Sequence, residues 1–315
     1  MNKGKSLMEG DTIGLIAPAS PSSKEEVRRA ITGLEQQGFN VILGESCYAE
    51  YGGYLSGERS LRVNDFHKMF SDPHIDGVMC LRGGYGTSQL LSLIDYELIK
   101  QHPKVFVGFS DITALHIALL QKANLVTFHG PTMARGLHNM SKSTKQYLLR
   151  SVTSTTPVGE ILNEDNKLHI QSLTGGIARG QLVGGNLSLI SATMGTPYEI
   201  NTKDKIFFIE EVNEDPYRVD RMLTQLALAG KFTDASGIVL GTWQGCEPKD
   251  KSGHFFVDDL FDEIIKPFHK PTIYNVQSGH GPVNITLPLG VEATVDANNG
   301  RLFIDEAAVI SGNKN

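Results

Sequence analysis

The chain is predicted to be an α/β protein, with a parallel sheet flanked by helices in its N-terminal half and a smaller mixed α/β unit in its C-terminal half. Three observations carry this. Short apolar runs alternate with helical patterns through the first half, the rhythm of βαβ units. A polar stretch of weak period follows, typified by Ser151-Val-Thr-Ser-Thr-Thr-Pro157. Strands and helices then resume and end in hairpin-like runs. The expected organisation is an N-terminal domain over 1–145, a linker over 146–173 and a C-terminal domain over 174–315.

In the first half the apolar runs 12–17, 40–43, 77–81, 105–107 and 125–128 read as strands. Helices are expected over 24–37, 58–70, 86–94 and from 110 to about 122. In parallel sheets ligands collect at the carboxyl ends of the strands. Three loops should therefore converge on one rim: Ala17-Pro18-Ala19-Ser20, Arg82-Gly83-Gly84-Tyr85-Gly86 and Gly108-Phe109-Ser110. In the second half strands are expected at 180–185, 205–209, 237–240 and 272–276, and helices near 186–195 and 258–265. A strong helix runs over 216–229, with Pro216 in its first turn and Val219, Met222, Leu223 and Leu226 on one stripe. Asn298-Asn299-Gly300 reads as a tight hairpin turn before the last strand, 301–304.

Composition narrows the function classes. At 315 residues, 40% hydrophobic and 20% charged, the chain is long enough for two cores. A net charge of -6 and no Lys/Arg cluster argue against nucleic-acid or anionic-membrane partners. No run has the length of a signal-peptide core or a membrane span. Cys47, Cys80 and Cys246 are too scattered for a disulfide framework or a Cys-x-x-Cys site, and a reducing cytoplasm is the expected location. The glycine loop 82–86 has neither Walker nor dinucleotide spacing, and there is no His-Glu-x-x-His helix. No cofactor or metal is expected.

The chemistry centres on Gly108-Phe109-Ser110-Asp111, where a β-branched run breaks and a helix begins. A serine on such a corner projects its hydroxyl from the sheet edge, while unpaired helix N–H groups face any oxyanion formed beside it. The same residues would also suit a plain helix cap. A nucleophilic serine needs a base. Of ten histidines, His280 stands apart, because Ser278-Gly279-His280-Gly281-Pro282 lets the ring approach another backbone closely. A purely structural role fits it too. An acid to orient the histidine is available in Glu210 at the end of an apolar strand, whereas Glu211, Glu214 and Asp215 suit the N-terminal dipole of the next helix. The Asp111 N–H and an N–H of the 82–86 loop, taken at Gly84, are the candidate oxyanion donors.

Taken in order, these segments resemble the serine LD-carboxypeptidases, or muramoyltetrapeptide carboxypeptidases, of peptidase family S66. The resemblance runs over nearly the whole chain, from Gly10-Asp-Thr-Ile-Gly-Leu-Ile-Ala-Pro-Ala-Ser20 through Gly108-Phe-Ser-Asp111, Gly184-Gly-Asn-Leu187 and Ile209-Glu-Glu-Val-Asn-Glu-Asp-Pro-Tyr-Arg218 to Gly279-His-Gly-Pro282 and Leu287-Pro-Leu-Gly290. It implies a Rossmann-like, flavodoxin-type N-terminal domain and a Ser–Glu–His triad carried by Ser110, Glu210 and His280. It further implies hydrolysis of the L,D amide that releases terminal D-Ala from murein tetrapeptides with Lys or meso-diaminopimelate at position three, cell-wall recycling in the cytoplasm, and a homodimer. The D-Ala carboxylate needs a cationic receptor; Arg82 and Arg218 are candidates, each equally suited to a local ion pair. Two other functions fit the chain: a microcin C-type peptide–nucleotide hydrolase conferring self-immunity, and a non-catalytic murein-peptide binder. Against the first, Trp243 is the single tryptophan available for stacking.

Overall fold

The computed structural model describes residues 1–164, 168–248 and 255–312. In chain order its strands and helices begin β1 Thr12–Ile16, α1 Lys24–Glu35, β2 Asn40–Leu43, α2 Arg59–Ser71, β3 Gly77–Cys80, α3 Tyr96–Gln101, β4 Val105–Gly108, α4 Thr113–Lys122, β5 Thr127–His129 and α5 Lys142–Thr153. They continue with β6 Gly159–Glu160, β7 Gln171–Thr174, β8 Ile177–Asn186, α6 Leu187–Ala192, β9 Ile206–Val212, α7 Pro216–Leu228, α8 Lys231–Asp234 and β10 Gly237–Gln244. The last are α9 Val257–Leu260, β11 Thr272–Tyr274, β12 Leu287–Leu289, β13 Glu292–Asp296 and β14 Arg301–Ile304.

The first sheet has the order β12-β5-β4-β3-β1-β2, and β2 to β5 with β1 are all parallel. This is the flavodoxin-type order, with the switch of direction between β1 and β3. Its inner strands β3 and β4 are buried throughout, while edge strand β2 alternates exposed and half-buried residues. Local chemistry fixes the helix starts. Ser23 and Glu26 form a reciprocal capping box on α1. Pro216 opens α7, whose buried residues are the predicted stripe Val219, Met222, Leu223 and Leu226.

The second sheet has the order β6-β14-β13-β8-β9-β10-β11-β7, with β8 to β11 parallel and antiparallel strands on both flanks. The two sheets are bound together. Strand β12, from the C-terminal half, pairs antiparallel with β5 at the edge of the first sheet, where Pro288 removes no needed ladder donor. One apolar cluster contains Leu15, Val107 and Phe128 from one side and Leu182, Phe208 and Val239 from the other. At the rim, Asn186 N–H donates to Thr113 Oγ1 at 3.0 Å, tying the end of β8 to the start of α4.

Three expectations are corrected. The segment expected as an unpatterned linker carries α5, β6 and β7, with 165–167 lying outside the described residues. Helix 86–94 is replaced by a single 3-10 turn, Thr87–Gln89, because buried Asp111 accepts the Thr87 N–H at 2.8 Å and diverts the backbone; the helix comes later, as α3 capped by Asp95. The turn before β14 spans four residues, 297–300, rather than the three of Asn298-Asn299-Gly300, with Gly300 at φ 61.

Candidate active site

The three expected loops do converge at the carboxyl ends of the first sheet, and their contacts are specific. Ser20 N–H donates to Gly83 O at 3.2 Å, and the Tyr85 N–H donates to Ser20 Oγ at 3.1 Å. The fully buried guanidinium of Arg62 donates to Pro18 O at 2.8 Å and to Gly86 O at 3.0 Å, holding both loops from below. Sequence reasoning missed this residue. Its signal was an arginine on the same stripe of α2 as Phe66 and Met69.

Ser110 stands where β4 gives way to the 3-10 turn Ser110–Ile112 that leads into α4. Its φ of 65 is left-handed, a conformation costly for a residue with a Cβ and frequent at functional corners. Gly108 lets the corner close, since a Cβ there would lie 2.8 Å from Ile112 Cγ2. Asp111 is buried, its carboxylate accepts the Thr87 N–H at 2.8 Å, and its carbonyl accepts from Thr87 Oγ1 at 2.5 Å. Burial raises its pKa against these hydrogen bonds. Among the described residues, the N–H groups of Asp111 and Gly84 have no acceptor in the network of turns and loops. Within the 82–86 loop it is Gly83 that lies against the serine, with space for a Cβ only 3.0 Å from Ser110 Cβ and 3.3 Å from Ser110 Oγ. Gly84 turns the loop at φ 107.

Glu210 sits near the end of β9, its side chain wholly buried, opposite Asn186 in the β8 register. Its Oε2 accepts two hydrogen bonds from His280: from ring Nδ1 at 2.7 Å and from the backbone N–H at 3.1 Å. Because the carboxylate can only accept, Nδ1 carries a proton and Nε2 of the neutral ring is left as an acceptor. The approach requires glycine at 279. Its φ is 118, and a Cβ there would overlap Glu210 Oε2. The surrounding loop is pinned by Gly279 N–H to Asn284 Oδ1 at 3.1 Å and by Ser278 Oγ to Ile285 O at 2.8 Å.

The His280 ring packs on Phe109, the residue before the serine, with ring centroids 4.7 Å apart. Phe109 in turn meets buried His129, which meets Phe208 of β9. The structure thus brings 110, 210 and 280 to one rim, with the serine and the imidazole on neighbouring elements and no hydrogen bond between them. The other acids are accounted for elsewhere. Glu211 accepts from Ser188 N–H at 2.8 Å, Ser188 Oγ at 2.7 Å and Asn186 Nδ2 at 2.9 Å, so it serves the start of α6 rather than the start of α7. Arg82 pairs with Glu26 and Arg218 with Glu214, each at 3.4 Å.

A serine on a strand-to-helix corner beside an imidazole held by a buried carboxylate is the layout of an acyl-transfer serine hydrolase. Residues 13–130 match the LD-carboxypeptidase N-terminal domain of peptidase family S66, and residues 179–295 match the LD-carboxypeptidase C-terminal domain; the chain belongs to this family. It is 38% identical to a probable murein peptide carboxypeptidase of Bacillus subtilis, over 98% of this chain and 96% of the relative. Among solved structures it is similar to a muramoyltetrapeptide carboxypeptidase from Oxalobacter formigenes, with TM-score 0.82, 27% identity, and coverage of 95% and 100% of the two chains. It is also similar to an MccF-like protein from Bacillus anthracis, with TM-score 0.82, 32% identity, and coverage of 97% and 100%.

Proposed function

We propose that this chain is a serine LD-carboxypeptidase that releases terminal D-Ala from murein tetrapeptides carrying Lys or meso-diaminopimelate at position three. One observation carries the reading: the buried Glu210 carboxylate fixes Nδ1 of His280, whose ring packs on the residue preceding a left-handed Ser110. The kinship with murein peptide carboxypeptidases supplies the substrate class. Ser110 Oγ attacks the carbonyl of the L,D amide as His280 Nε2 takes its proton, and Glu210 stabilises the imidazolium. The N–H groups of Asp111 and the Gly83–Gly84 segment face the oxyanion. His280 then protonates the D-Ala amine as the C–N bond breaks, and a water activated by the same imidazole hydrolyses the acyl-enzyme. Substrate binding draws hydroxyl and imidazole into hydrogen-bond reach, as is common where a free site is looser than the complex.

The setting of this reading is turnover of cell-wall fragments in the cytoplasm, by a homodimer. Among the described residues no helix is long and apolar enough to cross a membrane. The microcin-type alternative has one structural point against it. Trp243, the single tryptophan of the sequence, packs edge-on against Phe261 at 5.0 Å, so indole stacking on a nucleoside base is limited to that one ring. Assaying a tetrapeptide beside an acyl-sulfamoyl adenylate tests both readings. Release of D-Ala that disappears in Ser110→Ala supports the carboxypeptidase, and cleavage of the adenylate alone refutes it.

A further inference from the structure

A cavity of about 320 Å³ opens beside the candidate triad, and His280 and Phe109 are part of its wall while Ser110 is not. Among the described residues its lining contains no carboxylate. Two of its donors without acceptors stand out. Arg135 is exposed into it and makes neither an ion pair nor a side-chain hydrogen bond. Asn284 is 6% exposed; its Oδ1 accepts from the Gly279 N–H, while its Nδ2 is buried with no partner. An unpaired buried amide donor costs free energy that a bound acceptor recovers. In a chain of net charge -6, a concavity whose described lining has one guanidinium, one orphaned amide and no acid selects an anion.

Arg135 is also held in place by its backbone. It ends the 3-10 turn Met133–Arg135, whose Ala134 N–H donates to Leu81 O at 2.8 Å and whose Ala134 O accepts from Arg29 Nε at 3.4 Å. Asn139 Nδ2 adds a bond to Arg135 O at 2.9 Å. The turn is thus tied to the end of β3 and to α1, and the guanidinium extends from a fixed base.

We infer that Arg135, with Asn284 Nδ2, is the receptor for the C-terminal carboxylate of the residue that leaves, and so a specificity-determining residue. The inference rests on the proposed carboxypeptidase reading. In that chemistry the imidazole protonates the leaving amine, so the leaving residue lies on the imidazole side of the serine. The cavity walled by His280 and not by Ser110 is on that side. The two arginines that the sequence offered for this task are already paired with Glu26 and Glu214. A bidentate guanidinium–carboxylate contact would make the chain an exopeptidase, since an internal peptide bond offers no charge at that point.

The test measures kcat/KM for release of the last residue from a tetrapeptide ending in free D-Ala and from its D-alaninamide counterpart, each in a Lys and a diaminopimelate form. The parent chain is expected to prefer the acid by at least tenfold. In Arg135→Ala that preference collapses toward one, mainly through KM for the acid, and Arg135→Lys restores part of it. A tenfold preference that survives in Arg135→Ala overturns the inference, as does a loss that follows the diaminopimelate side chain instead of the terminal carboxylate. A parent chain that cleaves neither peptide overturns the carboxypeptidase reading itself, so the two failures are distinct.

Discussion

The two glycines flanking His280 should respond very differently to an added methyl group, and the difference measures how much the Glu210–His280 contact matters. In Gly279→Ala the new Cβ would overlap Glu210 Oε2 and fall 2.8 Å from Glu210 Cβ and 2.7 Å from Thr242 Oγ1. Carbon atoms settle no closer than about 3.5 Å, so Glu210 must retreat by about 0.7 Å. That stretches the 2.7 Å bond from Nδ1 to about 3.4 Å, near the limit of a hydrogen bond. A displacement approaching 1 Å in a catalytic constellation costs about 100-fold in rate. The backbone contributes separately, since φ 118 is unfavourable for alanine by roughly 1–3 kcal/mol, and the melting temperature should fall by several degrees. In Gly281→Ala the nearest atoms are Val283 O at 3.1 Å and Thr242 Cγ2 at 3.3 Å, without a positive φ, so the loss should stay below about tenfold. Steady-state release of D-Ala, with thermal unfolding alongside, checks both variants. A Gly279→Ala protein that keeps kcat/KM within threefold of the parent would show that the carboxylate contact is not needed for turnover.

Ser110→Ala should abolish D-Ala release while leaving the melting temperature within a few degrees; Ser110→Gly should be equally inactive yet melt higher, because glycine relieves the strain at φ 65. Thermal unfolding with residual turnover decides, and a Ser110→Gly protein that melts lower contradicts the strain argument. Glu210→Gln should preserve the ring position, since the amide oxygen can still accept both His280 bonds, but lower kcat by 100-fold or more because the imidazolium loses its counter-charge; near-normal turnover would remove Glu210 from the mechanism. Acid stability tests the buried histidines. His116 donates from Nε2 to Gly108 O at 2.8 Å, and burial lowers its pKa to about 4. The unfolded chain takes up the proton below about pH 6.5 and the folded chain does not until about 4, so stability is present above that window and is lost as pH falls through it. The slope is at most about 1.4 kcal/mol per pH unit for this group, and buried His129, also lowered by burial, adds in the same direction. Urea midpoints between pH 7 and 5 should fall, less steeply in His116→Gln; a flat profile refutes the assignment.

What the sequence made legible was local. The helix α1, the stripe of α7, the corner at Ser110 and the glycine-flanked His280 are each written within a few residues of one another, where spacing and backbone freedom speak directly. Glu210 and His280 each stand out by position, one at a strand end and one between glycines, and the family resemblance joins them across 70 residues into one triad, because no local pattern encodes their contact. Helix α5 escaped for a physical reason: its buried face is Thr144, Leu148, Ser151 and Val152, half of it polar, so the periodic signal is diluted. Arg62 escaped because a buried arginine on an apolar stripe looks like an interruption until the carbonyls of Pro18 and Gly86 supply its acceptors. Arg135 was invisible in the strongest sense. It has no periodic place in its turn, and its meaning comes from a wall built by residues 279–284, which reach the first sheet through β12. Strand exchange and a shared core hold that wall in register with the serine corner, so relative motion of two separate domains is not what sets this site. Local packing around Gly279 and Phe109 is, which is why a single methyl group at 279 should disturb it directly.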